Sequence, residues 1–162
     1  MRSPEGEGGL KLDSYLPYRL SVASNAVSGL IARAYEDRFG LTVPQWRLIC
    51  VLAEGGGLTQ VQIVARTVMD KVTVSRAAQG LAKRRLIGRS ENTADGRSHV
   101  LALTGEGRSL HAEIAPLALA YEAALIAGLA PGEVALLKRL LGRLQSAAGQ
   151  LAGDGAPPQI SG

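Results

Sequence analysis

A mainly helical chain carrying one small β-hairpin is the fold class predicted for these 162 residues, and three observations point to it. Aromatic residues are only 4% against 46% hydrophobic overall; with Ala and Leu abundant, that favours packed helices over a β-sandwich, whose strands recruit aromatic and β-branched side chains. Apolar positions recur at three- and four-residue spacing through most of the chain, the helical period. One place breaks the pattern: Thr93-Ala94-Asp95-Gly96 reads as a Gly-containing turn between two short strands. Charged residues at 20% are ordinary for a globular chain, and wholesale disorder is excluded. The length suits one domain with helical extensions, and a chain near ~150 residues buries roughly 70% of its unfolded surface.

The elements follow in order. Residues 1–11 contain Pro4, Gly6, Gly8 and Gly9 and read as a flexible arm. Asp13 or Ser14 is placed to cap a first helix, with Pro17 in its opening turn, where a missing N–H costs little. Leu16, Leu20, Val27, Leu30, Ile31 and Ala34 form its stripe to about Arg38, and Gly40 ends it. A second helix follows Thr42, with Trp46, Ile49, Cys50 and Ala53 as its expected buried face, and Gly55-Gly56-Gly57 breaks it. Thr59 and Gln62 have capping-box spacing for a short third helix, with Ile63 and Val64 buried. Asp70 caps a fourth, Lys71 to about Arg85, with Val74, Ala77, Ala78 and Leu81 on one face. Strands are expected at Ile87–Asn92 and Ser98–Leu103. Thr104 caps a fifth helix to about Ala127. Pro131 starts a sixth, with the stripe Val134, Leu137, Leu141 and Leu144, and residues 149–162 read as a flexible tail.

Charge is concentrated. Between Arg66 and Arg97 eight cations face three acids, a local net of +5, whereas the rest of the chain nets −1 and the whole +4. A basic segment on a near-neutral body is the footprint of a polyanion binder; the alternative is a solvated helix face. A lipid surface fits less well, because the segment has no large aromatic anchor.

Two helices joined by a tight turn and followed by a two-stranded hairpin describe a winged helix-turn-helix, whose second helix enters the major groove of double-stranded DNA. The exposed face of the fourth helix suits that role. Lys71, Ser75, Arg76, Gln79 and Lys83 can donate to base edges or phosphates, and Val72 and Thr73 offer methyls to thymine. Thr59, which opens the preceding helix, is a further candidate for DNA contact. Arg97 at the wing tip can reach a minor groove. Asp95 is expected to orient a guanidinium by charge-assisted hydrogen bonds.

Arg38-Phe39-Gly40-Leu41-Thr42, Pro44-Gln45-Trp46-Arg47, Lys71-Val72-Thr73-Val74-Ser75-Arg76, Leu86-Ile87, Asp95-Gly96-Arg97 and Leu103-Thr104 stand in the order and spacing of the MarR family of bacterial transcription regulators, which the chain resembles from about Leu12 to Leu144. Two departures are mild: the long Gly55-Gly56-Gly57 break, and Gly88 following Ile87 where the family often has Gly before the apolar pair. The resemblance implies a homodimer on a pseudo-palindromic operator. Residues 41–103 would form the DNA-binding domain, and residues 12–40 and 104–148 the dimerisation region. It gives Ser75 and Arg76 the recognition role, Arg97 the wing role and Asp95 the wing's acidic position. Long helices flanking a compact unit support dimerisation independently, since their Leu and Ala faces need cover.

The resemblance also implies an effector pocket between the dimer helices and the winged domain. Tyr18, Arg19, Trp46, Arg47 and His111 are the candidates, a set suited to an aromatic carboxylate. Each has a simpler structural reading: Trp46 as core, Arg47 as an ion-pair residue, Arg19 as exposed or interfacial. The function implied is a ligand-responsive repressor of a catabolic or efflux operon, released by a small aromatic compound or its thioester. An activator, a regulator without ligand, an architectural DNA binder and a protein-interaction module remain alternatives.

Other classes find little support. Paired carboxylates, a phosphate loop and a nucleophile with a His partner are all missing from the sequence pattern, so no enzyme and no cofactor are expected. His99 and His111 lack ligands at metal spacing. Cys50, the single Cys, lies in an apolar run and reads as structural rather than redox-active. Apolar runs stop short of ~18 residues, so no membrane span is expected, and a cytoplasmic location is the simplest.

Overall fold

The computed structural model describes residues 9–155. The chain falls into two compact units, divided between Ala115 and Pro116. A 3-10 turn, Leu12–Ser14, leads into α1 (Leu16–Phe39), with Pro17 in its first turn. Tyr15 precedes the helix and supplies no side-chain cap. The expected cap at Asp13 or Ser14 is not made, because both lie in the 3-10 turn, where the Ser14 hydroxyl donates to the Lys11 carbonyl (3.1 Å). Gly40 ends α1 at φ 60, the left-handed conformation that costs Gly nothing.

α2 (Val43–Gly55) starts on a full capping box: the Gln45 N–H donates to Thr42 Oγ1 (3.4 Å) and the Thr42 N–H to Gln45 Oε1 (3.0 Å). Its buried residues are Leu48, Ile49, Val51 and Leu52. The expected face is corrected here. Only Ile49 of that set is buried, while Trp46 and Cys50 are half-buried and Ala53 is exposed. The run from Leu48 to Leu52 is apolar on every side, so periodicity alone could not orient it.

β1 (Leu58–Thr59), α3 (Gln60–Thr67), α4 (Lys71–Lys83), β2 (Ile87–Glu91) and β3 (His99–Leu103) complete the central region. β1 was not expected. It pairs antiparallel with β3, Leu58 opposite Leu101 and Thr59 opposite Val100, and β3 pairs with β2 from Ile87–Leu103 to Glu91–His99. The sheet therefore has three strands in the order β1-β3-β2. α4 stops at Lys83, two residues before the expected end, and Arg85 turns at φ 57.

The core of the first unit draws fully buried side chains from five helices: Tyr35, Leu48, Ile49, Leu52, Ile63, Val74, Leu81 and Ile114, with Leu41 between α1 and α2. Val74, Ala77, Ala78 and Leu81 are buried as their spacing predicted. Gly80 lets α4 approach α2, since a Cβ there would collide with the Gln45 amide.

α5 (Gly105–Ile126) begins at the Thr104 cap, whose Oγ1 accepts from the Gly107 N–H (3.0 Å). Pro116 lies inside α5, and removes one hydrogen bond of its ladder. In the second unit, α6 (Pro131–Asp154) runs through Gly149 to Gly155, which turns at φ 61. Residues 149–154 thus extend the helix, closed by Gly155, where a flexible tail was expected; residues 156–162 of that tail and residues 1–8 of the arm lie outside the described residues. α6 buries none of its side chains: Leu137, Leu141 and Leu144 are exposed and Val134 is half-buried. Lys138 pairs with Glu122 at 3.1 Å, both ends well exposed, a contact that contributes little. Among the described residues no single helix is long and apolar enough to cross a membrane.

Candidate nucleic-acid interface

The helix-turn-helix is held by local hydrogen bonds. Gln62 N–H donates to Thr59 Oγ1 (3.3 Å) and Thr59 N–H to Gln62 Oε1 (2.9 Å), the capping box expected from their spacing. α3 closes on Val68 in the left-handed conformation (φ 55). A β-branched residue there is strained, and Val68 is largely exposed. Asp70 then caps α4. Its carboxylate accepts from the Thr73 N–H (2.8 Å) and the Thr73 hydroxyl (2.7 Å). These bonds hold the Asp70 pKa below its ordinary value of 3.8. The Thr73 hydroxyl is thereby engaged in capping.

On α4, Lys71, Val72, Arg76, Gln79 and Lys83 are exposed, and Thr73 and Ser75 half-buried. At the wing, Asn92 N–H donates to the Ser98 carbonyl (3.1 Å) and Ser98 N–H to the Asp95 carbonyl (3.1 Å). Asp95 Oδ1 accepts from the backbone N–H of Arg97 (3.1 Å). The expected guanidinium partner is thus replaced by an amide two residues on. An Asp side chain reaches that amide readily in a tight turn, and the contact fixes the backbone that carries Arg97. Arg89 on β2 and His99 on β3 face each other, Arg89 Nη2 to His99 Nδ1 at 3.1 Å.

A groove of about 620 Å³ runs between the start of α3, the start of α4 and the wing. It gathers Thr59, Lys71, Asp95 and Arg97 from the expected set. Gln60, Val61, Arg89 and His99 also line it, and sequence reasoning missed them. Arg89 was counted in the basic segment, and its period-2 position on the wing was the available signal. Ser75 and Gln79 line a neighbouring cavity of about 290 Å³ with Gln60 and Arg89. Val72, Arg76 and Lys83 line neither cavity. Three cations against one carboxylate in the larger groove make it an anion-attracting cleft.

The effector candidates separate. Trp46 stacks on His111 (centroids 5.7 Å, 19° between planes) and meets Tyr35 edge-on (5.2 Å, 62°). Trp46 and Arg47 line an open cavity of about 290 Å³ with Cys50, Glu54 and Arg66. His111 lines another, about 370 Å³, with Arg108 and Leu103. Tyr18 and Arg19 sit exposed in the first turns of α1 and line neither. Burial, then the nearby Glu54, push the Cys50 thiol up to about 12, which keeps it protonated and unreactive.

Comparison with known proteins fits this geometry. A family model described as MarR family matches residues 39–98, the span from the end of α1 through the wing tip. A MarR family transcriptional regulator from Silicibacter pomeroyi DSS is 31% identical; the similarity covers 85% of this chain and 91% of that one, with a TM-score of 0.74. The chain belongs to the MarR family. It is a winged-helix transcriptional regulator. Among other MarR-like relatives, transcriptional regulator HosA of Escherichia coli O111:H- is 26% identical over 72% of this chain and 86% of its own length. BpsR of Bordetella bronchiseptica, whose DNA binding is regulated by 6-hydroxynicotinic acid, is 27% identical, covering 85% of this chain and 98% of that one, with a TM-score of 0.80.

Proposed function

We propose that this MarR-family regulator works as a homodimer on a pseudo-palindromic operator and acts as a repressor released by a small aromatic acid or its thioester. The observation that carries the DNA half is the single groove in which Lys71, Arg89 and Arg97 converge from α4 and the wing. α4 would enter the major groove with Arg76, Gln79 and Lys83, while Arg97 on its ordered turn tracks the adjacent minor groove. Residues 41–103 are the DNA-binding domain in this account, and residues 12–40 and 104–148 the dimerisation region. Exposed apolar side chains support dimerisation: Leu16, Leu20 and Val27 on α1, and Leu136, Leu137, Leu140, Leu141 and Leu144 on α6. Faces of this extent ask for a partner.

The effector half rests on the Trp46–His111 stack, which lies between two cavities that each hold an arginine, Arg47 with Arg66 in one and Arg108 in the other. A guanidinium beside an aromatic face suits an aromatic carboxylate. Regulation of BpsR by an aromatic acid agrees with that chemistry. Release would be a population shift: the ligand must bind the spacing of recognition helices that DNA does not accept better than the one it does. A coupling of ~1–3 kcal/mol lowers operator affinity about 5- to 150-fold.

Fluorescence anisotropy of a duplex from upstream of the chain's own gene tests this, with aromatic carboxylates, their thioesters and phenols added in turn. Release by one class, with a saturable change in the fluorescence of Trp46, is expected. Binding that survives every addition contradicts the ligand-released repressor and favours a regulator without ligand.

A further inference from the structure

The last turn of α4 is fastened on two sides. Arg84 follows the helix, and its guanidinium donates from Nη1 to the Gly40 carbonyl (3.0 Å) and from Nη2 to the Phe39 carbonyl (2.9 Å). Those carbonyls close α1, where acceptors are left over and the helix dipole is negative, so a cation is held there by both effects. The left-handed turn at Gly40 brings them within reach of the fork: a Cβ at that position would lie 3.8 Å from Nη1. On the other side, the Arg85 carbonyl accepts from the Thr104 hydroxyl (2.7 Å), and the Leu86 carbonyl accepts from the Thr104 N–H (3.1 Å). Three consecutive residues thus tie the end of α4 to the end of α1 and to the cap of α5. Arg84 belongs by sequence to the basic segment, yet its fork is spent on backbone carbonyls 44 and 45 residues away.

We propose that Arg84 is a positioning residue: it fixes the angle between α4 and α1 and thereby sets the half-site spacing that the dimer accepts. This rests on the dimeric operator-binding account above. The lever is long. Thirteen residues make α4 about 20 Å from end to end, so a tilt of about 5° at its fastened end displaces the other by roughly 1.7 Å. That is about half the ~3.4 Å rise of one base pair, enough to blur discrimination between operators whose half-sites differ in separation by one base pair. Arg84 does this without touching DNA.

The test uses the full chain and an operator selected by it from a randomised duplex pool, with versions whose central spacer is one base pair longer or shorter. Wild type, Arg84→Ala and Arg84→Gln are compared for affinity across the set and for salt dependence; thermal melting shows that each is folded. Arg84→Gln keeps the stem and one amide donor group, so it stands in if Arg84→Ala fails to fold. The expected result is a preference for the selected spacing lowered roughly 3- to 30-fold, a range set by typical coupling energies, with the salt slope unchanged. Two results overturn the proposal. Equal loss on every duplex, with a slope flatter by about 0.9, makes Arg84 a phosphate contact. An unchanged spacing preference places the control of helix angle elsewhere. Failure of the wild-type chain to select any operator overturns the operator account itself, a result distinct from either.

Discussion

Gly107→Ala should destabilise the chain, although it replaces a helical glycine by the best helix former. Gly107 is buried in the first turns of α5. A Cβ there would collide with the Leu86 carbonyl oxygen, and would meet Leu86 C at 3.0 Å and Leu103 Cδ2 at 3.2 Å. The leucine methyl can rotate away; the Leu86 carbonyl cannot, because it accepts the Thr104 N–H. Overpacking against backbone belongs at the upper end of its range, ~2–3 kcal/mol. The helix-propensity gain returns ~0.5–1 kcal/mol, leaving a net loss of ~1–2.5 kcal/mol. For a chain of this length that lowers Tm by about 2–10 °C. Gly105→Ala is the matched control in the same helix: nothing lies within 4 Å of a Cβ there, so it should be neutral or slightly stabilising. Thermal and urea unfolding followed by circular dichroism measure both. A Gly107→Ala protein melting at or above wild type would refute the close approach of α5 to the end of α4, and with it the Thr104 side of the junction described above.

Three further outcomes follow from single sites. Val68→Gly relieves a left-handed β-branched residue and, after the extra chain entropy of glycine, should stabilise by ~0.5–1 kcal/mol; a lower urea midpoint would contradict the strain. The capping role of Asp70 predicts a pH effect. Its pKa is depressed in the folded chain, so its contribution is present above the unfolded value near 3.8 and is lost as pH falls through the lower folded value. The gap in urea midpoint between wild type and Asp70→Asn should therefore narrow as pH falls below 3.8, and a gap constant from pH 7 to 2 would show that the carboxylate charge is not involved. Cys50, pushed up to about 12, should react with a thiol reagent at pH 8 far more slowly in the native chain than in urea; equal rates would mean that its environment opens freely.

How much of this was legible in the sequence depended on whether the signal was local. Gly40, the Thr59–Gln62 box, the Asp70 cap and the wing turn each act over a few residues, and each element they define appears where expected. β1 was missed because Leu58 and Thr59 are too few to show a period; only pairing with β3, some 40 residues on, makes them a strand. The face of α2 was misplaced because four of five residues from Leu48 to Leu52 are buried, leaving no polar side to mark solvent. Arg84 read as one more cation in Lys83-Arg84-Arg85, since its carbonyl partners are remote in the chain. Arg89 and His99 were passed over at the groove because strand register, and not composition, brings them together: Arg89 pairs with Leu101 and His99 with Glu91, so the two side chains meet on the diagonal. Tyr18, Arg19 and Arg47 were grouped with Trp46 and His111 by residue type; the fold brings together Trp46 with His111 and Trp46 with Arg47, and leaves Tyr18 and Arg19 out of both cavities.

The groove between α4 and the wing carries the account, and the salt dependence of binding tests it most directly. Affinity would be measured by anisotropy on the selected operator and on a random duplex between 50 and 200 mM salt, roughly the window in which phosphate contacts show themselves, for wild type and for Arg97→Ala. Wild type should prefer the operator by at least ~10³, and Arg97→Ala should weaken binding and flatten the slope by about 0.9. No preference for the operator, or an Arg97→Ala protein with wild-type affinity and slope, would contradict the assignment of this groove to DNA.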